Sequence, residues 1–240
     1  TCALPISMDA ALERIIDLAP VIPIITPADI APATVDSAVR HEVVVVDSRV
    51  ADYEQLVDSI RQRGSHAVDI EIIVINQLDI GFSRIGELLA QRHDVSALHI
   101  LSHGRDGSVQ LGAEWIDVQA LREQAGALAR WQQALTDNGD ILIYGCDVAK
   151  GITGQVFIEE LARLTKADVA ASSDLTGNSA LGGNWVLETH VGAIETHDAL
   201  SGAEISKWTS VLGGLQGDGV AIWTTSGDTT PNISVGRAHV

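Results

Sequence analysis

Short, mostly apolar runs alternate with amphipathic helical stretches between residues 43 and 172, and no other feature restricts the fold as much. The runs are VVVV (43–46), IEIIVI (70–75), ALHIL (97–101), DILIY (140–144) and DVAA (168–171). Apolar runs without strict polar alternation suit strands covered on both faces, as in a parallel sheet. The intervening stretches predict helices around Leu56, Val57 and Ile60 up to Arg63, then over 85–92, 118–135 and 155–165. Parallel strands need crossovers, and right-handed crossovers place helices on both faces of the sheet. The expected fold is therefore α/β, a three-layer α/β/α sandwich with a mostly parallel sheet. A small hairpin is expected from 109–111 and 114–116 around Gly112, and an antiparallel edge pair from 185–188 and 193–195.

The flanks read differently. Residues 8–18 carry helical spacing, and Pro20, Pro23, Pro27 and Pro32 then make an extended tether, because proline lacks the amide donor and fixes φ. Beyond Trp208 the chain becomes rich in Gly, Thr and Ser. The expected organisation is a helix and tether over 1–41, an α/β domain over 42–198, and a linker with the start of a β-rich segment over 199–240. A first residue Thr1 with no charged signal start suggests a segment of something longer, or a processed form.

Charge removes several classes of function. With 15 Lys+Arg against 32 Asp+Glu and a net charge of −17, the chain has no basic run to hold phosphates, so no nucleic acid partner is expected. Its apolar stretches fall short of the ~20 residues a membrane helix needs, so no membrane span is expected. Two cysteines, Cys2 and Cys146, cannot make a disulfide framework or a four-thiolate zinc site. No EF-hand or Gly–Asp repeat occurs, and no metal or cofactor is expected. Acidity with few lysines fits an exported bacterial protein, secreted or at the cell surface.

Ligands of open α/β sheets bind beyond the carboxyl ends of the strands. Three of these ends are polar: Asp47-Ser48-Arg49, Ser102-His103-Gly104-Arg105 and Gly145-Cys146-Asp147. If the strands before His103 and Cys146 are neighbours, a base and a nucleophile meet at one rim, where a peptide must be able to enter. An imidazole can take the thiol proton, and the start of the following helix would lower the thiol pKa further. The N–H groups of Gly104 and Cys146 would cradle an oxyanion. These parts suit acyl transfer from an amide or thioester. His99 is expected to be structural, and His66, His93, His190 and His197 to be surface residues. Trp115, Trp131, Trp185 and Trp208 are expected to be packing residues.

The segments ALHILSHGRDG and DILIYGCDVAKG resemble the His-Gly and Cys motifs of caspase-like cysteine peptidases, each following a hydrophobic run. VVDSRVADYEQLV, HILSHGRDGSVQLG, GDILIYGCDVAKG, LTKADVAASSDLTG and GGNWVLE resemble, more closely, a domain of unknown function found near the N-termini of giant bacterial adhesins with cadherin-like or RTX repeats. The resemblance covers 43–194. It implies the flavodoxin-like caspase–hemoglobinase fold with His103 and Cys146 as the dyad. Asp147 departs from the Asn expected after the Cys, and its carboxylate would raise the thiol pKa slightly. In caspase-like enzymes the loops carrying Asp47 and Asp174 help build the pocket for the residue before the cut bond. Two acids there would favour Arg or Lys; the opposing interpretation is that Asp47 caps a helix and Asp174 shapes a turn.

Three functions compete. The first is a self-processing, caspase-like cysteine endopeptidase module of a large secreted or surface protein. It would act through a thioester acyl-enzyme on a peptide segment of its own chain or of a neighbouring copy. The second is a non-catalytic domain that aids export or surface retention of an adhesin. The third, an α/β-hydrolase-like enzyme with Cys146 as nucleophile and His190 or His197 as base, is weaker because YGCDV lacks the glycine two residues after the nucleophile.

Overall fold

The computed structural model describes residues 39–62, 68–196 and 205–213, without the side chain of Ser206. The helix expected over 8–18, the proline tether and residues 214–240 lie outside these. Each apolar run is a strand: β1 (Arg40–Asp47), β2 (Val68–Ile75), β3 (Val95–Leu101), β7 (Leu135–Tyr144) and β8 (Asp168–Ala171). With β9 (Thr189–Val191) they form a six-stranded sheet in the order β2-β1-β3-β7-β8-β9. All neighbours are parallel except β8 and β9. A separate three-stranded ribbon comprises β4 (Gly104–Arg105), β5 (Ser108–Leu111) and β6 (Glu114–Ile116), and contains the expected hairpin.

Alternate residues of the runs serve opposite faces, as the pleat requires. Val43 and Val45, with Leu98, Ile100, Ile141 and Ile143, join one core. Helices α2 (Gly81–Leu89), α4 (Ala125–Ala134) and α5 (Gly151–Thr165) cover it with Phe82, Ile85, Leu128, Trp131, Phe157 and Leu161. Phe82 and Trp131 stack with centroids 4.9 Å apart. Val44, Val46, Leu101, Tyr144 and Cys146 belong to the other core, which α1 (Tyr53–Arg61) covers with Leu56, Val57 and Ile60. Each of these fully buried aliphatic side chains contributes about 1.5–3 kcal/mol. The result is the expected three-layer α/β sandwich. One helix leaves the second face thinly covered, and Trp208 and Leu212, from beyond residue 198, complete it.

Three local expectations are corrected. The helix over 118–135 is two helices, α3 (Val118–Glu123) and α4, because Gln124 leaves helical geometry at φ −98° and ψ 17°. Strand β7 begins at Leu135, with a register shift between Val95 and Ala97 of its neighbour, so the polar stretch TDNG belongs to an irregular strand start. The edge strand is Thr189–Val191, not a pair from 185–188 and 193–195. Trp185 turns away to pack on Tyr144 and Trp208 at 6.2 and 5.5 Å, and Gly192, at φ 90°, ends the strand.

Gly126 in α4 is exposed, and a Cβ there would meet nothing within 4 Å. Helical glycine costs backbone entropy. Gly126→Ala should therefore raise the urea unfolding free energy by about 0.5 kcal/mol.

Candidate active site

Strands β3 and β7 are neighbours, with Leu101 opposite Tyr144. His103 and Cys146 each lie two residues further on, in adjacent loops beyond the strand ends, and no hydrogen bond joins His103 Nδ1 to the Cys146 sulfur. The ladder extends one step past the strands through Ser102 N–H to the Tyr144 carbonyl, 3.1 Å. The two loops then touch: a Cβ on Gly104 would lie 2.6 Å from the Cys146 carbonyl oxygen and 2.7 Å from the Gly145 carbonyl carbon. Only glycine allows this approach, and it brings the N–H groups of residues 104 and 146 together.

Both N–H groups point at one atom. Gly104 N–H and Cys146 N–H donate to the carbonyl oxygen of Leu212, at 3.0 and 3.2 Å. Leu212 reaches this point in a segment bound like an added strand. Its N–H donates to the Thr176 carbonyl at 2.9 Å, Asn178 N–H donates to the Ser210 carbonyl at 2.9 Å, and Val211 pairs antiparallel with Gly177. The Asn178 side-chain amide donates to the Trp208 carbonyl at 2.6 Å, and the Trp208 indole N–H to the Ala51 carbonyl at 2.8 Å. Main-chain pairing of this kind holds a peptide without regard to most of its side chains.

The Cys146 thiol is free and only 2% exposed. Peptide groups lie against it. Thr176 N–H donates to Sγ at 3.2 Å, Sγ–H donates to the Thr176 carbonyl at 3.6 Å, and Sγ is 3.9 Å from where a Cβ on Gly213 would stand. Burial pushes the thiol pKa up to about 11; the Thr176 hydrogen bond opposes this, while the charges of Asp147 and Asp174 add to it. The helix start expected to lower that pKa is not beside the thiol. Asp147 takes a left-handed turn at φ 60°, Lys150 is extended, and α5 begins only at Gly151. Asn and Asp tolerate this conformation better than other side chains, which accounts for an acid where Asn was expected.

A raised thiol pKa means that the folded state holds its proton more tightly than the unfolded one. Its contribution to stability is complete below the ordinary thiol value of about 8.5 and is lost as pH rises toward 11. Between pH 8 and pH 11, the urea midpoint of the wild type should fall further than that of Cys146→Ala.

His103 is half-buried, and its Nε2–H donates to the Arg49 carbonyl at 3.2 Å. A carbonyl only accepts, so Nε2 carries the hydrogen and Nδ1 of the neutral ring carries the lone pair. Nδ1 is buried and has no hydrogen-bond partner among the described residues. Arg49 in turn is set by Asp47, which is fully buried. Asp47 Oδ1 accepts from Arg49 N–H at 2.8 Å and Oδ2 from Gly112 N–H at 2.6 Å. Asp47 thus ties the loop that orients His103 to the β5–β6 hairpin. Asp47→Ala strands two donors and should cost about 3 kcal/mol in urea unfolding.

Asp174 is exposed, and both its carboxylate oxygens accept from the Asn184 side-chain amide at 3.0 Å. Its carbonyl accepts from Asp147 N–H at 2.8 Å, linking the loop after β8 to the cysteine loop. His99 is buried and faces Glu42 at 3.2 Å, within the sheet and away from the rim. Trp115 lies under the Arg105 guanidinium, 4.1 Å away. Asp140, Asp168 and Glu195 offer ligand atoms within 4.8 Å of one another. Asp140, within β7, stands six residues before Cys146, roughly 20 Å along the strand, so a cation held by these three groups would not reach the thiol.

Leu212 was not marked by the sequence patterns, and Arg49 and Thr176, although they stand in marked segments, were not read as site residues because they act through the main chain. The one available signal is Trp208 with Val211-Leu212, apolar residues standing in Gly- and Ser-rich text.

The fold and site define a three-layer α/β domain with a thiol, an imidazole and two convergent main-chain donors at one sheet rim. A family model described as Domain of unknown function (DUF4347) matches residues 43–212, and the chain belongs to that family. The last matched residue is Leu212. No curated protein matches the chain. Among the described residues no helix is long and apolar enough to cross a membrane.

Proposed function

We propose that this domain is a caspase-like cysteine endopeptidase module that processes its own chain, within a large secreted or surface bacterial protein. The observation that carries the proposal is a peptide carbonyl, that of Leu212, held by the N–H groups of Gly104 and Cys146, with the Cβ position of the next residue, Gly213, 3.9 Å from the Cys146 sulfur. Two donors on one carbonyl oxygen is the geometry of an oxyanion hole, and each such donor is worth about 3–4 kcal/mol in the transition state.

In this mechanism the Cys146 thiol, which at rest bonds to Thr176 and not to His103, turns so that Sγ attacks the carbonyl carbon and its proton passes to His103 Nδ1. The carbonyl oxygen takes the negative charge under the two N–H groups. Collapse breaks the C–N bond, His103 gives its proton to the departing amine, and a thioester remains. Water, deprotonated by His103, then releases the acyl part and restores the thiol. A thiol with a pKa of about 11 holds very little thiolate at neutral pH, so proton removal accompanies attack rather than preceding it. Slow, single-turnover cutting suits such a centre better than repeated turnover.

The test uses wild type, Cys146→Ala and His103→Ala in the whole chain, with a peptide acyloxymethyl ketone as thiol probe. Wild type should fragment and take up the probe at Cys146, and neither variant should do both. Identical fragment patterns and no labelling in all three would leave 208–213 as a closing strand and overturn the proposal.

A further inference from the structure

We infer that the peptide bond between Leu212 and Gly213 is the one this module cuts, and that its pocket for the residue before the cut takes leucine rather than Arg or Lys. This rests on the peptidase assignment above and adds to it the bond and the substrate class.

Four independent features meet at this bond. Its carbonyl oxygen lies between the two donors, at 3.0 and 3.2 Å. The sulfur stands next to its far side, 3.9 Å from a Cβ position on Gly213. The segment leading to it is paired along 176–178 in a single register, through the carbonyl of Ser210, the bridge at Val211 and the N–H of Leu212. That register leaves no slack to present a neighbouring bond instead, because a one-residue slip would reverse the side-chain faces. Finally, the Leu212 side chain is fully buried in the apolar cluster that holds Val46, Val50, Tyr144 and Trp208.

Selectivity follows from what the pocket lacks. Asp47, one of two acids that would attract a basic side chain, is fully buried and spends both oxygens on main-chain N–H groups. Asp174 is exposed and engaged by Asn184. An arginine at 212 would place its charge among apolar groups without a carboxylate partner, which is strongly unfavourable. On the departing side the demands are slight: a Cβ at Gly213 would make only ordinary contacts, at 3.9 and 4.0 Å.

Atoms balance without an outside reagent other than water. The C–S bond forms as the bond from the Leu212 carbonyl carbon to the Gly213 nitrogen breaks. The proton from Sγ leaves on the new amino group of Gly213. Water then replaces sulfur, and the new carboxyl group belongs to Leu212. The products are residues 1–212 and 213–240.

The whole chain is incubated as wild type, Cys146→Ala, Gly213→Ala and Leu212→Arg, and fragments are assigned by mass and N-terminal sequence. Wild type and Gly213→Ala should both be cut after Leu212, and Leu212→Arg should be cut there at least tenfold more slowly than wild type. Because Leu212→Arg risks loosening the fold, processed wild type is also challenged with acyloxymethyl ketone peptides ending in Val-Leu or Val-Arg. The leucyl probe should label Cys146 at least tenfold faster. A Cys146-dependent cut at another bond, or preference for the arginyl probe, overturns the inference and leaves the peptidase assignment standing. Absence of any Cys146-dependent cleavage or labelling overturns both.

Discussion

Gly104→Ala should slow self-processing by at least a hundredfold and lower stability by about 2 kcal/mol, read from a cleavage time course and a urea titration. The cause is backbone against backbone. The added Cβ would lie 2.6 Å from the Cys146 carbonyl oxygen, 2.7 Å from the Gly145 carbonyl carbon and 2.5 Å from Val148 Cγ2. Only the valine methyl can rotate aside. The histidine and cysteine loops must separate, and the two N–H groups then no longer converge on one oxygen. Gly126→Ala, the same change on an open helix surface, supplies the contrast: it should leave processing unaltered. A peptidase that ignored Gly104→Ala would have its oxyanion hole somewhere else.

Leu212→Asp should produce the second large effect, release of residues 208–213 from the rim. A carboxylate in the position of this fully buried side chain faces an apolar cluster with no cation in it. Burying it costs more than the added strand's few hydrogen bonds return. With the segment displaced, the main cause of the raised thiol pKa is relieved, because burial raises it more than the nearby acids do. The expected result is labelling of Cys146 by iodoacetamide at pH 8 at least a hundredfold faster than in wild type. The labelling midpoint should move from about 11 toward the ordinary thiol range. Unchanged labelling would show that something other than this segment covers the sulfur.

Much of the sheet was legible because β-branched runs such as VVVV have one good solution, a strand covered on both faces. The polar rim was legible for a related reason: a run that stops at His103 or Cys146 stops where the sheet ends. Elements that depend on tertiary fit were less visible. The break at Gln124 has no proline to announce it, and the edge strand 189–191 is set by Trp185 and Gly192 rather than by its own residues. Within the site, the parts that went unread are main-chain groups: the Arg49 carbonyl on His103, the Thr176 N–H on the sulfur and the Leu212 carbonyl between the donors. A carbonyl has no letter in the sequence. Leu212 also lies in text whose glycines and serines read as linker, although Trp208 and Leu212 are as deeply buried as the strands.

The same segment accounts for part of the burial of the Cys146 thiol. At rest the peptide groups of 176 and 212–213 lie on it, and they belong to the molecule itself. Burial therefore counts against a freely accessible enzyme, and the proposed peptidase would have to act on the segment that covers its own thiol.

The most direct measurement is the intact mass of the purified 25.4 kDa chain followed over time beside its Cys146→Ala variant. The wild type should convert to two species corresponding to residues 1–212 and 213–240, while the variant keeps its full mass. Full-length mass persisting in both, or the same fragments arising in both, would contradict catalysis by Cys146.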